Sequence, residues 1–221
     1  MAKRRFIFFD VGNTLLFPNR ARLLAPIAAD KHPSLEVWQA LERRTKQEFD
    51  QGLISGKIDH SFWWTFHTHL LDQLDAFDES VRDTLVENTQ NSANWDQILP
   101  GTREALERIR ERYGIAVISN ADGRIEAVLD RCGICDCFAS ITDSGNVGHE
   151  KPHPAIFAAA LRDMKADPAE SLYVGDVYSV DYIGARNAGM DAVLFDVAGT
   201  YRDRGLPRVE SLAELESWLE K

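Results

Sequence analysis

Four polar stretches interrupt the apolar runs of this 221-residue chain, and their residue types suit chemistry on a charged small molecule. They are Asp10-Val11-Gly12-Asn13-Thr14, Ser119-Asn120, Lys151 within Gly148-His149-Glu150-Lys151-Pro152, and Gly175-Asp176 with Asp181 a little further on. A carboxylate can act as a nucleophile, splitting one hard displacement into two steps. Two carboxylates can share a hard divalent cation such as Mg²⁺. A lysine and a serine hydroxyl can neutralise and hold a transferring anion. Read singly, each residue has an ordinary explanation. Aspartate beside glycine is commonly a turn residue or helix cap, serine a cap, and lysine a solvated charge.

Where these residues fall decides between the two explanations. Short apolar runs precede most of them: Arg5–Phe9, Ile115–Ile118, Ser171–Val174 and Ala192–Phe195, with Phe138–Ile141 as a weaker fifth. Continuous apolar runs of this length suit strands buried on both faces of a parallel sheet. Helical patterns lie between them, over Thr102–Tyr113, Pro154–Met164, Asp181–Ala188 and Ser211–Trp218. Asp167 and Glu170 have the spacing of a capping box. Alternating strands and helices predict an α/β fold, Rossmann-like and doubly wound around a mainly parallel sheet. In such sheets ligands bind beyond the carboxyl ends of the strands, where the polar stretches sit.

The stretch from about 18 to 95 breaks the rhythm. It offers helices at roughly Ala21–Ala29, Leu35–Gln51, Ser61–Leu74 and Glu79–Asn91 and no convincing strand. It is too long for a loop and reads as an inserted α-helical cap, leaving residues 1–17 and 96–221 as the core. The aromatic run Phe62-Trp63-Trp64-Thr65-Phe66 is expected to pack inside the cap, with a substrate-facing Trp as the other reading.

Order, spacing and strand-end placement of the four stretches together resemble the signature motifs of the haloacid dehalogenase superfamily. Pro100-Gly101 and Glu150-Lys151-Pro152-His153-Pro154 extend the likeness, which covers essentially the whole chain. The helical insertion is similar to the cap of the branch with phosphoglycolate phosphatases, β-phosphoglucomutases, phosphonatases and 2-haloacid dehalogenases. The resemblance implies a Mg²⁺-dependent hydrolase of small phosphomonoesters that forms an aspartyl-phosphate on Asp10. It implies Mg²⁺ held by Asp10, Asp176 and the backbone carbonyl of Gly12. It also implies phosphate held by Ser119, Asn120 and Lys151, with Asp181 binding a metal water or orienting Lys151.

One departure bears on turnover. Phosphatases of this family usually carry a second aspartate two residues after the nucleophile, as general acid and base, and here Gly12 stands there. Such help is typically worth about 10²–10⁴-fold, so a phosphatase without it is expected to be slow. Three alternatives follow: a non-catalytic Mg²⁺- and phosphate-binding module, a phosphonatase using a cap lysine (Lys31, Lys46 or Lys57), or a 2-haloacid dehalogenase. Dehalogenases lose the glycine–aspartate pair kept here as Gly175-Asp176. The cap histidines His32, His60, His67 and His69 are candidate replacements for the missing group.

Composition sets the outer limits. With 44% apolar and 27% charged residues the chain matches an ordinary globular protein, and no apolar run approaches membrane-spanning length. Asp10 interrupts the apolar stretch behind the basic N-terminus too early for a secretory signal, so a cytoplasmic location is expected. A net charge of −10 disfavours nucleic acids and anionic membranes as partners, but not a small phosphorylated metabolite. Monomer and homodimer are both compatible with the sequence. Cys132, Cys135 and Cys137 are expected to be reduced, small buried residues, with a zinc site as the alternative.

Overall fold

The computed structural model describes residues 4–54 and 62–220. The strands are β1 (Phe6–Phe9), β2 (Leu16–Phe17), β3 (Gln97–Ile98), β4 (Gly114–Ser119), β5 (Ser140–Asp143), β6 (Ser171–Gly175), β7 (Asp191–Phe195) and β8 (Arg208–Val209). The α-helices are α1 (Arg20–Leu23), α2 (Leu35–Ile54), α3 (Phe62–Gln73), α4 (Glu79–Gln90), α5 (Thr102–Arg110), α6 (Ile125–Arg131), α7 (Ser144–Val147), α8 (Pro154–Asp163), α9 (Ile183–Asn187) and α10 (Leu212–Leu219). Six strands form one sheet in the order β5-β4-β1-β6-β7-β8, every pair parallel. It is the doubly wound α/β fold that the apolar runs predict.

Strand periodicity sorts the core into two layers. Ile7, Phe9, Ile115, Val117, Leu172 and Val174 face α5, α6 and α10, while Phe8, Ala116, Ile118 and Tyr173 face α8 and α9. Both faces are covered, which is why the strands read as unbroken apolar runs. β1 lies between β4 and β6, and the chain order of the strands reverses there. That makes its carboxyl end the switch point where a crevice opens.

Among the described residues helices dominate from Arg20 to Gln90, and they enclose a separate apolar cluster that includes Trp38, Leu41, Phe66, Leu70 and Leu85. The chain leaves and re-enters beside itself, since β2 pairs antiparallel with β3. Two helical expectations need correction. Ala21–Ala29 is not one helix: α1 ends at Leu23, and Pro26 explains why, having no N–H and disfavouring the α conformation before it. Asp167 caps a single 3₁₀ turn, Pro168–Glu170, and not an α-helix. No described helix is long and apolar enough to cross a membrane.

Candidate active site

Asp10 follows β1 directly, and its backbone N–H donates to the Val174 carbonyl at 2.8 Å, tying it to β6. Asp176 follows β6, and Asp181 lies in the wide π-helical turn Tyr178–Tyr182 that leads into α9. Turns of this kind are rare and gather at functional sites. Gly175 permits the fold-back, because a Cβ there would come within 2.5 Å of Cγ of Asp181. Lys151 enters from the loop after α7. Its backbone is pinned by Asn120, whose Oδ1 accepts from Lys151 N at 2.7 Å and whose Nδ2 donates to Lys151 O at 3.0 Å. Asn120 thereby positions the lysine loop, beyond the phosphate contact expected of it. Ser119 is buried at the end of β4.

Lys151 Nζ lies 2.5 Å from Asp10 Oδ1, 2.9 Å from Asp181 Oδ1 and 2.8 Å from the hydroxyl of Tyr173. An ammonium has three hydrogens, and these three acceptors take them. The Tyr173 hydroxyl in turn donates to the Ile118 carbonyl at 3.1 Å. Thr14 Oγ1 stands 3.4 Å from Asp10 Oδ2. Carboxylate oxygens of Asp10, Asp176 and Asp181 lie within 4.8 Å of one another. They form the one group among the described residues with metal-holding geometry, and oxygen-only donors suit a hard divalent cation.

The electrostatics follow from burial. Desolvation pushes the Asp10 carboxyl up to about 6; Lys151 opposes the shift and Asp181 adds to it. Asp176 is pushed up to about 7, again first by burial, with Lys46 opposing and Asp10 and Asp181 adding. Burial works against the charge on Lys151, but Asp10 and Asp181 outweigh it and hold the ammonium above the ordinary lysine range. The lysine is well served, and the carboxylates are short of positive charge.

Sequence reasoning missed a second layer, contributed by α2. Lys46, one of the three cap lysines offered for a phosphonatase, is paired instead with carboxylates: its Nζ lies 2.7 Å from Asp176 Oδ2 and 2.6 Å from Glu42 Oε1. Asp50 accepts from Ser179 N at 2.9 Å and from the Tyr201 hydroxyl at 3.0 Å. Tyr201 is held for this by Asp196, which accepts from the backbone N–H of Thr200 and Tyr201 at 2.7 and 2.9 Å. A signal was present in the sequence. Glu42 and Lys46 fall on the same helical stripe as Trp38, Leu41 and Thr45, and charges on a buried stripe need partners elsewhere.

Trp95 is the other omission. A Cβ on Gly12 would lie in van der Waals contact with its indole at 3.5 Å, so an aromatic ring borders the position of the usual second aspartate. Trp95 Nε1 donates to the Thr89 carbonyl at 2.8 Å, and its ring meets Trp63 edge-on at 5.5 Å. The aromatic run on α3 therefore reaches the site through Trp95.

The cap histidines among the described residues are engaged elsewhere. His32 contacts the carbonyls of Leu24 and Ile27, and His69 pairs with Glu48. His67 is buried against Thr89 Oγ1 at 2.7 Å, and burial pushes it down to about 3. His60 and Lys57 lie outside the described residues. His149 and His153 stack on each other at 4.2 Å, and His153 caps α8. Of the three cysteines expected to be buried only Cys137 is, Cys132 and Cys135 being half-buried. They form no disulfide and no metal-holding group among the described residues, and burial raises each thiol.

Known proteins resemble this chain in sequence and in fold. The family model for haloacid dehalogenase-like hydrolases matches residues 5–189. Haloacid dehalogenase-like hydrolase domain-containing protein 3 of Bos taurus is 32% identical over 215 residues, covering 88% of this chain and 82% of its own length. Glyceraldehyde 3-phosphate phosphatase of Pyrococcus abyssi is 41% identical over 100 residues, 44% of this chain and 42% of that protein. The crystal structure of the HAD hydrolase YfnB of Bacillus subtilis, determined with bound magnesium, superposes with a TM-score of 0.73 at 18% identity. It covers 99% of this chain and 100% of that one, and at this identity it speaks for the fold alone. With a family match running from β1 through α9 and a fold shared from end to end, the chain belongs to the haloacid dehalogenase-like hydrolases.

Proposed function

We propose that this hydrolase is a magnesium-dependent phosphatase of small phosphomonoesters that works through an aspartyl-phosphate on Asp10. The charge of its buried cluster carries the reading. Direct contacts join Asp10, Lys151 and Asp181, and likewise Asp176, Lys46 and Glu42, so four carboxylates face two ammonium groups. The excess of two negative charges suits one divalent cation. Asp10, Asp176 and the Gly12 carbonyl would hold it, and the ion would supply the positive charge that lets a phosphate dianion approach a carboxylate.

The chain's own residues do the rest. The Asp10 carboxylate attacks phosphorus as the bond to the ester oxygen breaks, the leaving oxygen taking its proton from water. A water molecule then cleaves the aspartyl-phosphate, releasing inorganic phosphate and restoring Asp10. Lys151, fixed by Asn120, Asp181 and Tyr173, neutralises the transferring group without having to reorganise. Ser119 and the N–H of Asn120 hold its remaining oxygens. Residues 18–95 serve as the cap over a core of 1–17 and 96–221, excluding bulk water during the reaction. The strongly acidic chain fits a cytoplasmic enzyme, monomeric or homodimeric, acting on a small phosphorylated metabolite.

The test is phosphate release from a phosphomonoester panel with Mg²⁺, for wild type and Asp10→Asn. Release that disappears in the variant supports the proposal. Release that persists in Asp10→Asn, or halide release from a 2-haloacid without metal, contradicts it.

A second reading, binding without turnover, draws on Gly12 and the indole beside it. Gly12→Asp alone places its carboxylate against Trp95, so the informative protein is Gly12→Asp with Trp95→Leu. If wild type binds Mg²⁺ and phosphate, releases nothing, and this double variant gains turnover, the binding module is favoured. A Schiff base on Lys46 fits less well. Burial opposes its charge, but Asp176 and Glu42 hold it well above the ordinary lysine range, which disfavours the free amine a Schiff base needs.

A further inference from the structure

Three polar residues on one face of α2, spaced three and four apart, reach the core. Arg43 donates to the Ala198 carbonyl at 3.0 Å, Lys46 pairs with Asp176, and Asp50 holds Ser179 and Tyr201. Two of these contacts join groups of fixed need, since a backbone carbonyl and a backbone N–H always want a partner. The Lys46 contact is different. Asp176 is also a proposed metal ligand, and its Oδ2 already has an ammonium at 2.7 Å. The side chains are 2% and 7% exposed, so water does little to screen a second cation arriving on the same carboxylate.

Lys46 is also equipped to leave. Glu42 lies one turn back on the same helix, 2.6 Å from Nζ, and travels with it. The ammonium therefore keeps one carboxylate wherever α2 goes, whereas Asp176 stays with the core. Withdrawing α2 separates Lys46 from the cation's position without stranding an unpaired buried charge. A phosphate dianion bound beside the metal returns the neutralised cluster to an excess of two negative charges and favours the ammonium again.

We propose that Lys46 makes docking of α2 on the core depend on the charge in the site: ammonium and divalent cation oppose one another at Asp176, and an anionic substrate re-admits the ammonium. The inference rests on the proposed Asp10–Asp176 metal site. By linkage, whatever divalent metal does to α2 docking, docking does to metal affinity. Substrate anion and metal then bind cooperatively, and part of that cooperativity passes through one cap lysine.

Calorimetric titration of the full chain with Mg²⁺, with and without inorganic phosphate, tests this in wild type and Lys46→Met. The companion Glu42→Gln/Lys46→Met leaves no carboxylate orphaned on α2 and decides the matter if the single variant does not fold. Removing the ammonium is expected to tighten Mg²⁺ binding in the absence of phosphate by about fivefold or more. It is also expected to reduce the gain in Mg²⁺ affinity that phosphate gives the wild type. Unchanged or weaker Mg²⁺ binding in the folded variants, with wild type binding both ions, overturns the role of Lys46 and leaves the metal site standing. Wild type that takes up neither Mg²⁺ nor phosphate overturns both.

Discussion

Lys151 shows how completely a single charged group can be specified. Asp10, Asp181 and Tyr173 each accept one of its hydrogens, and Asn120 fixes its backbone from both sides. A cation fixed this way can neutralise a transferring phosphoryl group with little rearrangement. Lys151→Met is expected to lower kcat by about 10²–10³-fold in steady-state assays, the usual cost of losing one such electrostatic contact. Tyr173→Phe removes a buried acceptor of the ammonium and a donor to Ile118. Chemical denaturation should show it less stable by about 1.5–3 kcal/mol, the range for hydrogen bonds to charged groups. A Tyr173→Phe protein as stable as wild type would mean the hydroxyl is not part of the Lys151 network.

Elements were legible in the sequence to the extent that local pattern determines them. The parallel strands declared themselves because both faces are buried, and Asp10 and Asp176 at strand ends do meet Lys151 from the loop after α7 and Asp181 from the π-helical turn. The two-residue strands β2, β3 and β8 escaped because so short a segment has no period to read. The α2 contacts escaped for another reason. Lys46 and Asp176 are 130 positions apart, and only the packing of helix on core pairs them. Trp95 at Gly12 is likewise a long-range pairing with no trace in either local sequence. Gly175 links the two kinds of information, since its presence was readable and its reason was not. Gly175→Ala sets a methyl against Asp181 in a filled space, where overpacking typically costs about 1–3 kcal/mol. Thermal or urea unfolding should register that loss, and phosphate release should fall with it because Asp181 is displaced from Lys151. A Gly175→Ala variant with unaltered stability would show that Asp181 can move freely.

At the scale of the whole molecule, protons and the proposed metal would compete for the same buried carboxylates. The folded chain keeps Asp10 protonated up to about 6 and Asp176 up to about 7, against 3.8 for a free aspartate. Between these values the folded state binds protons that the unfolded state has lost, so without metal the two groups make stability fall as pH rises. His67, pushed down to about 3, acts in the opposite direction between there and 6.5. Comparing melts with and without Mg²⁺ at each pH removes the His67 contribution, which is the same in both. The gain in Tm from Mg²⁺ should be larger at pH 8 than at pH 5, because the cation must displace protons at the lower pH. An equal gain at both would place the metal away from these carboxylates. The claim beneath all of this is that Asp10 and Asp176 share a divalent cation beside a phosphoryl group on Asp10. Its most direct test is a crystal structure grown with Mn²⁺ and beryllium fluoride, the metal located by anomalous scattering. The expected map has the cation bonded directly to oxygens of Asp10, Asp176 and the Gly12 carbonyl, a trifluoroberyllate on Asp10, and Lys151 against its fluorines. A cation bound elsewhere, or Asp10 left unmodified with the metal in place, would contradict the account.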